Sequence, residues 1–242
     1  MTDNIRLFEV GGSIRDELMG IENPPDRDFC AESPGGWEEL LAWCHENMAR
    51  VYTISPQFFT VRGRFPNGDS IDVVMCRKDS PFTDGRHPES VEPGTLMDDL
   101  ARRDFTCNAM AREVDPKTLE PIGDIIDPHL RGQIDIKHKW LRFVGEPEVR
   151  LMEDGLRLLR AVRFTITKDL KMTRDVERFV KDVWWWNFMI DKVSIERVRE
   201  ELRKMMKHNT VDTLFFLSRK CPAGATRVLF DGIWLNPTLE KK

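Results

Sequence analysis

Gly11-Gly12-Ser13-Ile14-Arg15-Asp16, followed shortly by Asp26-Arg27-Asp28, decides how this chain is read. An apolar, strand-like run from Ile5 to Val10 enters the glycines and a helix-like run leaves them, so backbone N–H groups at the start of the helix face whatever lies at the turn. Such a turn suits a phosphate. Asp26 and Asp28 are separated by one residue, and side chains alternate along an extended strand, so both carboxylates point to the same face and form a clamp for a divalent metal. A third acid, Asp72, interrupts the β-branched run Ser70-Ile71-Asp72-Val73-Val74. If that strand lies beside the first, Asp72 completes a three-carboxylate site able to hold two magnesium ions, the equipment of two-metal phosphoryl or nucleotidyl transfer. Either string alone is more often a plain turn or a solvated loop; the information is in the combination.

Composition permits this reading without suggesting it. At 242 residues the chain allows one or two domains with a sizeable core. Its formal net charge is −4, unevenly spread: 9 Lys and Arg stand against 19 Asp and Glu through Leu100, and 28 against 22 beyond it. An acidic half that holds metal and a basic remainder that tracks phosphates fit an enzyme acting on nucleic acid, although an uneven solvated surface gives the same count. Five cysteines at 30, 44, 76, 107 and 221 show no zinc or dithiol spacing and read as reduced and structural. No apolar run reaches transmembrane length and no signal peptide opens the chain, so a cytoplasmic location with no membrane partner is expected.

Strands are expected at Leu7 to Val10, Asp28 to Ala31, Val51 to Ile54, Phe58 to Gly63 and Ser70 to Cys76, with helices at Ser13 to Met19 and Trp37 to Met48. From Pro147 the pattern turns helical, with apolar spacing at Val198, Leu202, Met205 and Met206 behind a Ser194 N-cap. The expected fold class is α+β: a mixed sheet with helices over 1–145, then a helical region over 146–242. The Pro- and Gly-containing stretch from Asp79 to Gly94 is long enough to be a functional lid.

Gly-Gly-Ser-x-Arg-Asp-x-Leu-x-Gly followed by Asp-x-Asp resembles the head of class II tRNA nucleotidyltransferases, the CCA-adding enzymes and their bacterial poly(A) polymerase relatives, with a polymerase β-type head and a helical neck and body. Asp84-Gly85-Arg86-His87-Pro88 is similar to the family's mobile loop. Arg102-Arg103-Asp104-Phe105-Thr106-Cys107-Asn108-Ala109-Met110-Ala111 resembles its ribose-recognition motif, with Cys107 where isoleucine is usual. Glu153-Asp154-Gly155-Leu156-Arg157 resembles its amino-acid template for the base, and Ser194-Ile195-Glu196-Arg197 a later neck helix. The ordered matches run from about Phe8 to about Met206, and the order is far more specific than any one string.

The resemblance implies metal-dependent addition of C, C and A from CTP and ATP to a tRNA 3′ hydroxyl, with pyrophosphate leaving. Asp26, Asp28 and Asp72 would hold two Mg2+ ions. Gly11, Gly12, Ser13 and Arg15 would face the triphosphate, while Arg102, Arg103, Asp104 and Asn108 would recognise ribose and phosphates. Asp84 and Arg86 would close over the site. A poly(A) polymerase or a partial enzyme adding only CC or only A uses the same chemistry, and a non-catalytic RNA-binding protein on the same fold is the alternative from another class.

On one continuous helix at about 100° per residue, Val149, Met152, Leu156, Leu158, Leu159 and Val162 fill one arc and Glu153, Asp154, Arg157 and Arg160 the other. Asp154 and Arg157 are then neighbours, an acceptor beside a planar donor fork. Such a pair fits the edges of cytosine and adenine, though an ordinary surface salt bridge uses the same spacing. Gly155 stands where the family commonly has proline, and the chain ends soon after Pro237, which reads as a compact member. Trp184-Trp185-Trp186 fan over about 200° of a helix and cannot all face inward. A homo-oligomer using exposed tryptophan is one expected arrangement.

Overall fold

The computed structural model describes residues 4–21, 27–79 and 91–230. These fall into two compact units, one over 4–79 and 91–138 and the other over 139–230.

The first unit is built on a seven-stranded mixed sheet. Its strands are β1 (Arg6–Val10), β2 (Asp28–Glu32), β3 (Arg50–Ser55), β4 (Thr60–Arg64) and β5 (Ser70–Met75). After a small antiparallel pair, β6 (Arg77–Asp79) and β7 (Val91–Pro93), come β8 (Ala111–Val114) and β9 (Pro121–Ile126). The order is β3-β4-β5-β2-β1-β8-β9, with β2 and β5 parallel and the other neighbours antiparallel.

Alternation along the strands sorts side chains onto two faces. Leu7, Phe29, Ala31, Ile71, Val73 and Met75 share a core with Leu40, Trp43 and Cys44 of helix α2 (Gly36–Asn47). Phe8, Val10, Cys30 and Cys76 face the other way and meet Leu96 and Leu100 of α3 (Leu96–Ala101). A capping box starts α3: the Thr95 backbone N–H donates to Asp98 Oδ2 at 2.9 Å and the Asp98 N–H donates to Thr95 Oγ1 at 3.3 Å. Helices α1 (Gly12–Leu18) and α4 (Gly132–Lys137) complete the unit. The expected strands and helices appear with small shifts, except that Pro56–Phe58 is a 3-10 turn ahead of β4. Strands β8 and β9 were not among the expected ones. β9 is an edge strand that opens on proline and is mostly exposed, so it lacks an apolar alternation to read.

The second unit comprises α5 (Pro147–Glu153), α6 (Leu156–Thr167), α7 (Arg174–Lys181), α8 (Val183–Lys192), α9 (Ile195–His208), α10 (Thr210–Lys220) and α11 (Pro222–Ala225). A two-residue parallel pairing, β10 (Trp140–Leu141) with β11 (Lys171–Met172), accompanies the helices. Leu158, Leu159 and Val162 of α6 and Val198, Leu202 and Met205 of α9 are buried where the two helices pack. Ser194 occupies the N-cap position of α9, but its side chain makes no capping bond. The tryptophans divide: Trp186 is fully buried and donates from Nε1 to the Val180 carbonyl at 2.8 Å, Trp185 is buried, and Trp184 is 51% exposed. No described helix is long and apolar enough to cross a membrane.

Candidate active site

One row of register partners crosses the sheet: Ala111 on β8, Val10 on β1, Asp28 on β2, Asp72 on β5 and Arg62 on β4. Asp28 and Asp72 therefore stand side by side on parallel strands, which lie about 4.8 Å apart in a sheet. Both lie on the sheet face opposite Phe29, Ile71 and Val73. Arg62 grips Asp72 with two bonds, Nε to Oδ1 at 2.6 Å and Nη2 to Oδ2 at 2.5 Å. The hydrogen bond and charge of Asp72 raise the Arg62 pKa above its ordinary value. Asp26 lies outside the described residues, as do Asp84 and Arg86 of the expected loop. Among the described residues no group of three or more His, Cys, Asp or Glu side chains could hold a metal ion.

The glycine turn begins directly after Val10, the member of this row that ends β1. Gly11 has φ +80 and ψ −117, a backbone region that side chains resist. A Cβ there would also lie 2.7 Å from Arg103 Nη1. Gly12 opens α1, and the buried Ser13 hydroxyl has no hydrogen-bond partner among the described residues.

Beneath the turn a buried polar chain joins α1 to the 3-10 turn Thr106–Asn108. Arg15 donates to Asp16 Oδ1 at 2.8 Å and to Asn108 Oδ1 at 2.5 Å, and Asn108 Nδ2 donates to Asp104 Oδ1 at 3.0 Å. The sequence places Arg15 at the triphosphate and Asp104 with Asn108 at ribose and phosphates; the fold links all three to one another. Sequence reasoning missed Asp99, a buried acid that pairs with both Arg102 and Arg103. The signal was available in the spacing, since Asp99 precedes those arginines by three and four residues, behind a Thr95 helix start.

All five cysteines are buried and free. Burial pushes the thiols of Cys44, Cys107 and Cys221 up to about 12, which favours the protonated thiol at neutral pH.

In the second unit the continuous helix expected around Glu153 is corrected. Asp154 leaves the helical path with φ −149 and ψ 101, ending α5, and its Oδ1 accepts from the Leu156 N–H at 3.1 Å as α6 begins. The two helices no longer share one phase, so Val149 and Met152 are about half exposed while Leu156, Leu158, Leu159 and Val162 are buried. Asp154 and Arg157 are joined through the backbone, where the Arg157 N–H donates to the Asp154 carbonyl at 3.1 Å. Arg157 Nη1 donates to Glu153 Oε2 at 2.7 Å and to the Arg150 carbonyl at 2.8 Å. Asp154 receives Arg197 at 2.8 and 3.2 Å. Arg160 lies 3.6 Å from Glu201, which Arg163 also holds at 2.5 Å. Gly155 between the helices has φ −58, yet a Cβ there would come within 3.1 Å of Met189 Cα in α8.

Residues 7–142 match the family described as the Poly A polymerase head domain. The chain belongs to this family. The Poly A polymerase head match contains the glycine turn, Asp28, Asp72 and the Asp99 to Asn108 segment, whereas Asp154, Arg157 and Arg160 lie beyond it. The CCA-adding enzyme of Lactobacillus helveticus (strain DPC 4571) is 34% identical over 200 residues, 82% of this chain and 45% of that protein. The chain thus spans about half the length of the curated relatives it matches. The crystal structure of the Bacillus stearothermophilus CCA-adding enzyme in complex with CTP is similar with a TM-score of 0.70 at 28% identity, covering 89% of this chain and 48% of that one. A tRNA nucleotidyltransferase complexed with a primer tRNA and an incoming ATP analog gives 0.71 at 27% identity, covering 94% and 60%.

Proposed function

We propose that this chain carries a CCA-adding tRNA nucleotidyltransferase activity: C, C and then A are transferred from CTP and ATP to a tRNA 3′ hydroxyl, and pyrophosphate leaves. Residues 1–145 act as the catalytic head and 146–242 as the neck and body that hold the RNA, in the cytoplasm. The observation that carries the reading is the register pairing of Asp28 with Asp72 beside the Gly11 turn.

The donor set fits a hard divalent cation. Two carboxylates one strand spacing apart repel each other, and a cation relieves that repulsion. Asp28 and Asp72, with Asp26, would hold two Mg2+ ions, which when bound activate the attacking hydroxyl and neutralise charge on the triphosphate. Gly11 and Gly12 let the backbone approach the phosphates without a side chain between. The Ser13 hydroxyl, buried and without a partner among the described residues, supplies a donor that a phosphate oxygen would satisfy. Arg15, fixed by Asp16 and Asn108, provides a positive charge under the turn. Arg102 and Arg103 add further charge, with Asp104 and Asn108 as the polar groups for a ribose. The nucleophile is the RNA's own hydroxyl, so the protein contributes position and charge rather than a covalent intermediate. Asp154 and Arg157 would read the base: a carboxylate accepts from the amino group of cytosine or adenine, and a guanidinium donates to ring acceptors. Arg160 lies one turn further along α6.

Incubating the protein with tRNA lacking its 3′ terminus and each NTP, read at nucleotide resolution, tests the proposal. Two C residues followed by one A and then arrest are expected. Long runs of A would identify a poly(A) polymerase, and CC or A alone a partial enzyme. No addition in the presence of magnesium would overturn the reading.

A further inference from the structure

Arg62 is exposed, comes from outside every motif singled out in the sequence, and nevertheless makes two short contacts in the carboxylate row. Both oxygens of Asp72 are taken by its guanidinium, at 2.6 and 2.5 Å. Of the two side chains, that of Arg62 is 62% exposed and that of Asp72 28%. The donor therefore has a free path into solvent, while the acceptor is fixed in the sheet. Arg62 also feels the charge of Asp28, the next residue in the row.

We propose that Arg62 is the exchangeable counter-ion of Asp72: it neutralises this carboxylate when no divalent metal is bound and leaves it when the metal arrives. The inference rests on the reading of Asp28 and Asp72 as metal ligands. A carboxylate whose two oxygens both accept from one guanidinium has few lone pairs left in the plane for a hard cation, so bidentate pairing and metal ligation at Asp72 compete. Competition has a direction. It weakens metal binding to the empty site and lowers the electrostatic strain of two adjacent carboxylates in the metal-free protein. Since a guanidinium this exposed forms a weak pair, its competition is modest and readily overcome when a nucleotide brings metal with it. Arg62 is accordingly a positioning residue for the metal site.

The test is a double-mutant cycle on Mn2+ affinity of the full chain, measured by the loss of the free-ion electron paramagnetic resonance signal without nucleotide or RNA. Arg62→Ala is expected to tighten Mn2+ binding about fivefold, the scale of an exposed charge pair. Asp72→Asn is expected to weaken it, and in the Asp72→Asn background Arg62→Ala is expected to make no further difference. An equal gain in both backgrounds would show that Arg62 merely repels cations at a distance and would overturn the exchange. So would an unchanged affinity in Arg62→Ala. If Asp72→Asn leaves Mn2+ affinity at the original value, the metal-ligand reading itself fails, which is a separate result from a failure of Arg62 alone. Arg62→Gln keeps the aliphatic stem on β4 and repeats the cycle if the alanine variant folds poorly.

Discussion

Asp99 and Arg103 form a nearly closed ion pair one helical turn apart, with Nη2 to Oδ2 at 3.0 Å and the carboxylate side chain only 1% exposed. Arg103 then places its Nη1 against the Gly11 turn and 3.4 Å from the Asn108 carbonyl. Asp99 thus fixes the arginine that lies under the Gly11 turn. Replacing Asp99 with Ala leaves two arginines without their shared acid, and a loss of about 3–5 kcal/mol is expected in urea unfolding.

The same pair has a pH signature. Burial pushes the Asp99 carboxyl up, but the charges of Arg103 and Arg102 outweigh it and hold the group below its ordinary value. A depressed folded pKa means that the stabilisation is fully present above the unfolded value of about 3.9 and is lost as pH falls through the still lower folded value. Thermal melts should therefore show no contribution from Asp99 to any change between pH 5 and 8. The acid limb below about pH 4 should be shallower in Asp99→Asn than in the parent.

Gly11 and Gly12 should respond unequally to alanine. Gly11→Ala combines a positive φ with a Cβ 2.7 Å from Arg103, and about 1–3 kcal/mol of destabilisation is expected. Gly12 has only an ordinary contact, 3.5 Å to Arg15 Nη2, so Gly12→Ala should shift stability by less than about 1 kcal/mol. Equal losses in chemical denaturation would contradict the turn geometry.

Asp28→Asn or Asp72→Asn should reduce nucleotide addition by about a hundredfold or more with every NTP, because each removes a proposed metal ligand. The melting temperature of Asp28→Asn without metal should stay level or rise, since one of two adjacent like charges is gone, whereas Asp72→Asn also gives up its pair with Arg62. Turnover within tenfold of the parent would remove the residue from the metal site.

For the base, Arg157→Ala is expected to reduce the CTP-over-UTP ratio of kcat/KM by about 1–3 kcal/mol while affecting triphosphate affinity less. Arg197→Ala should have a smaller effect of the same kind, since it releases Asp154 from the two bonds that hold it. An unchanged ratio in Arg157→Ala would refute the template assignment.

The framework of the first unit was legible because its signals are local. The Val10 strand, its glycine exit, and the alternation of Ile71, Val73 and Met75 about Asp72 each lie within a few residues. Arg62, Glu201 and Arg197 were invisible as partners because a charged residue on a strand or helix surface carries no mark of which distant group it will meet. The Asp154 break was hidden for another reason. Asp154 is an acceptable helix residue until its carboxylate finds the Leu156 N–H, and a helical wheel assumes the continuity that this bond ends.

The space around Gly155 has a consequence for how the sequence can vary. Its φ of −58 would suit a proline, so the backbone angle is no obstacle. The obstacle is the Met189 backbone at 3.1 Å, which unlike a side-chain tip cannot swing aside. Position 155 and the seat of α8 are therefore set by one spacing: a side chain at 155 requires the tryptophan-bearing helix to give way by a few tenths of an ångström.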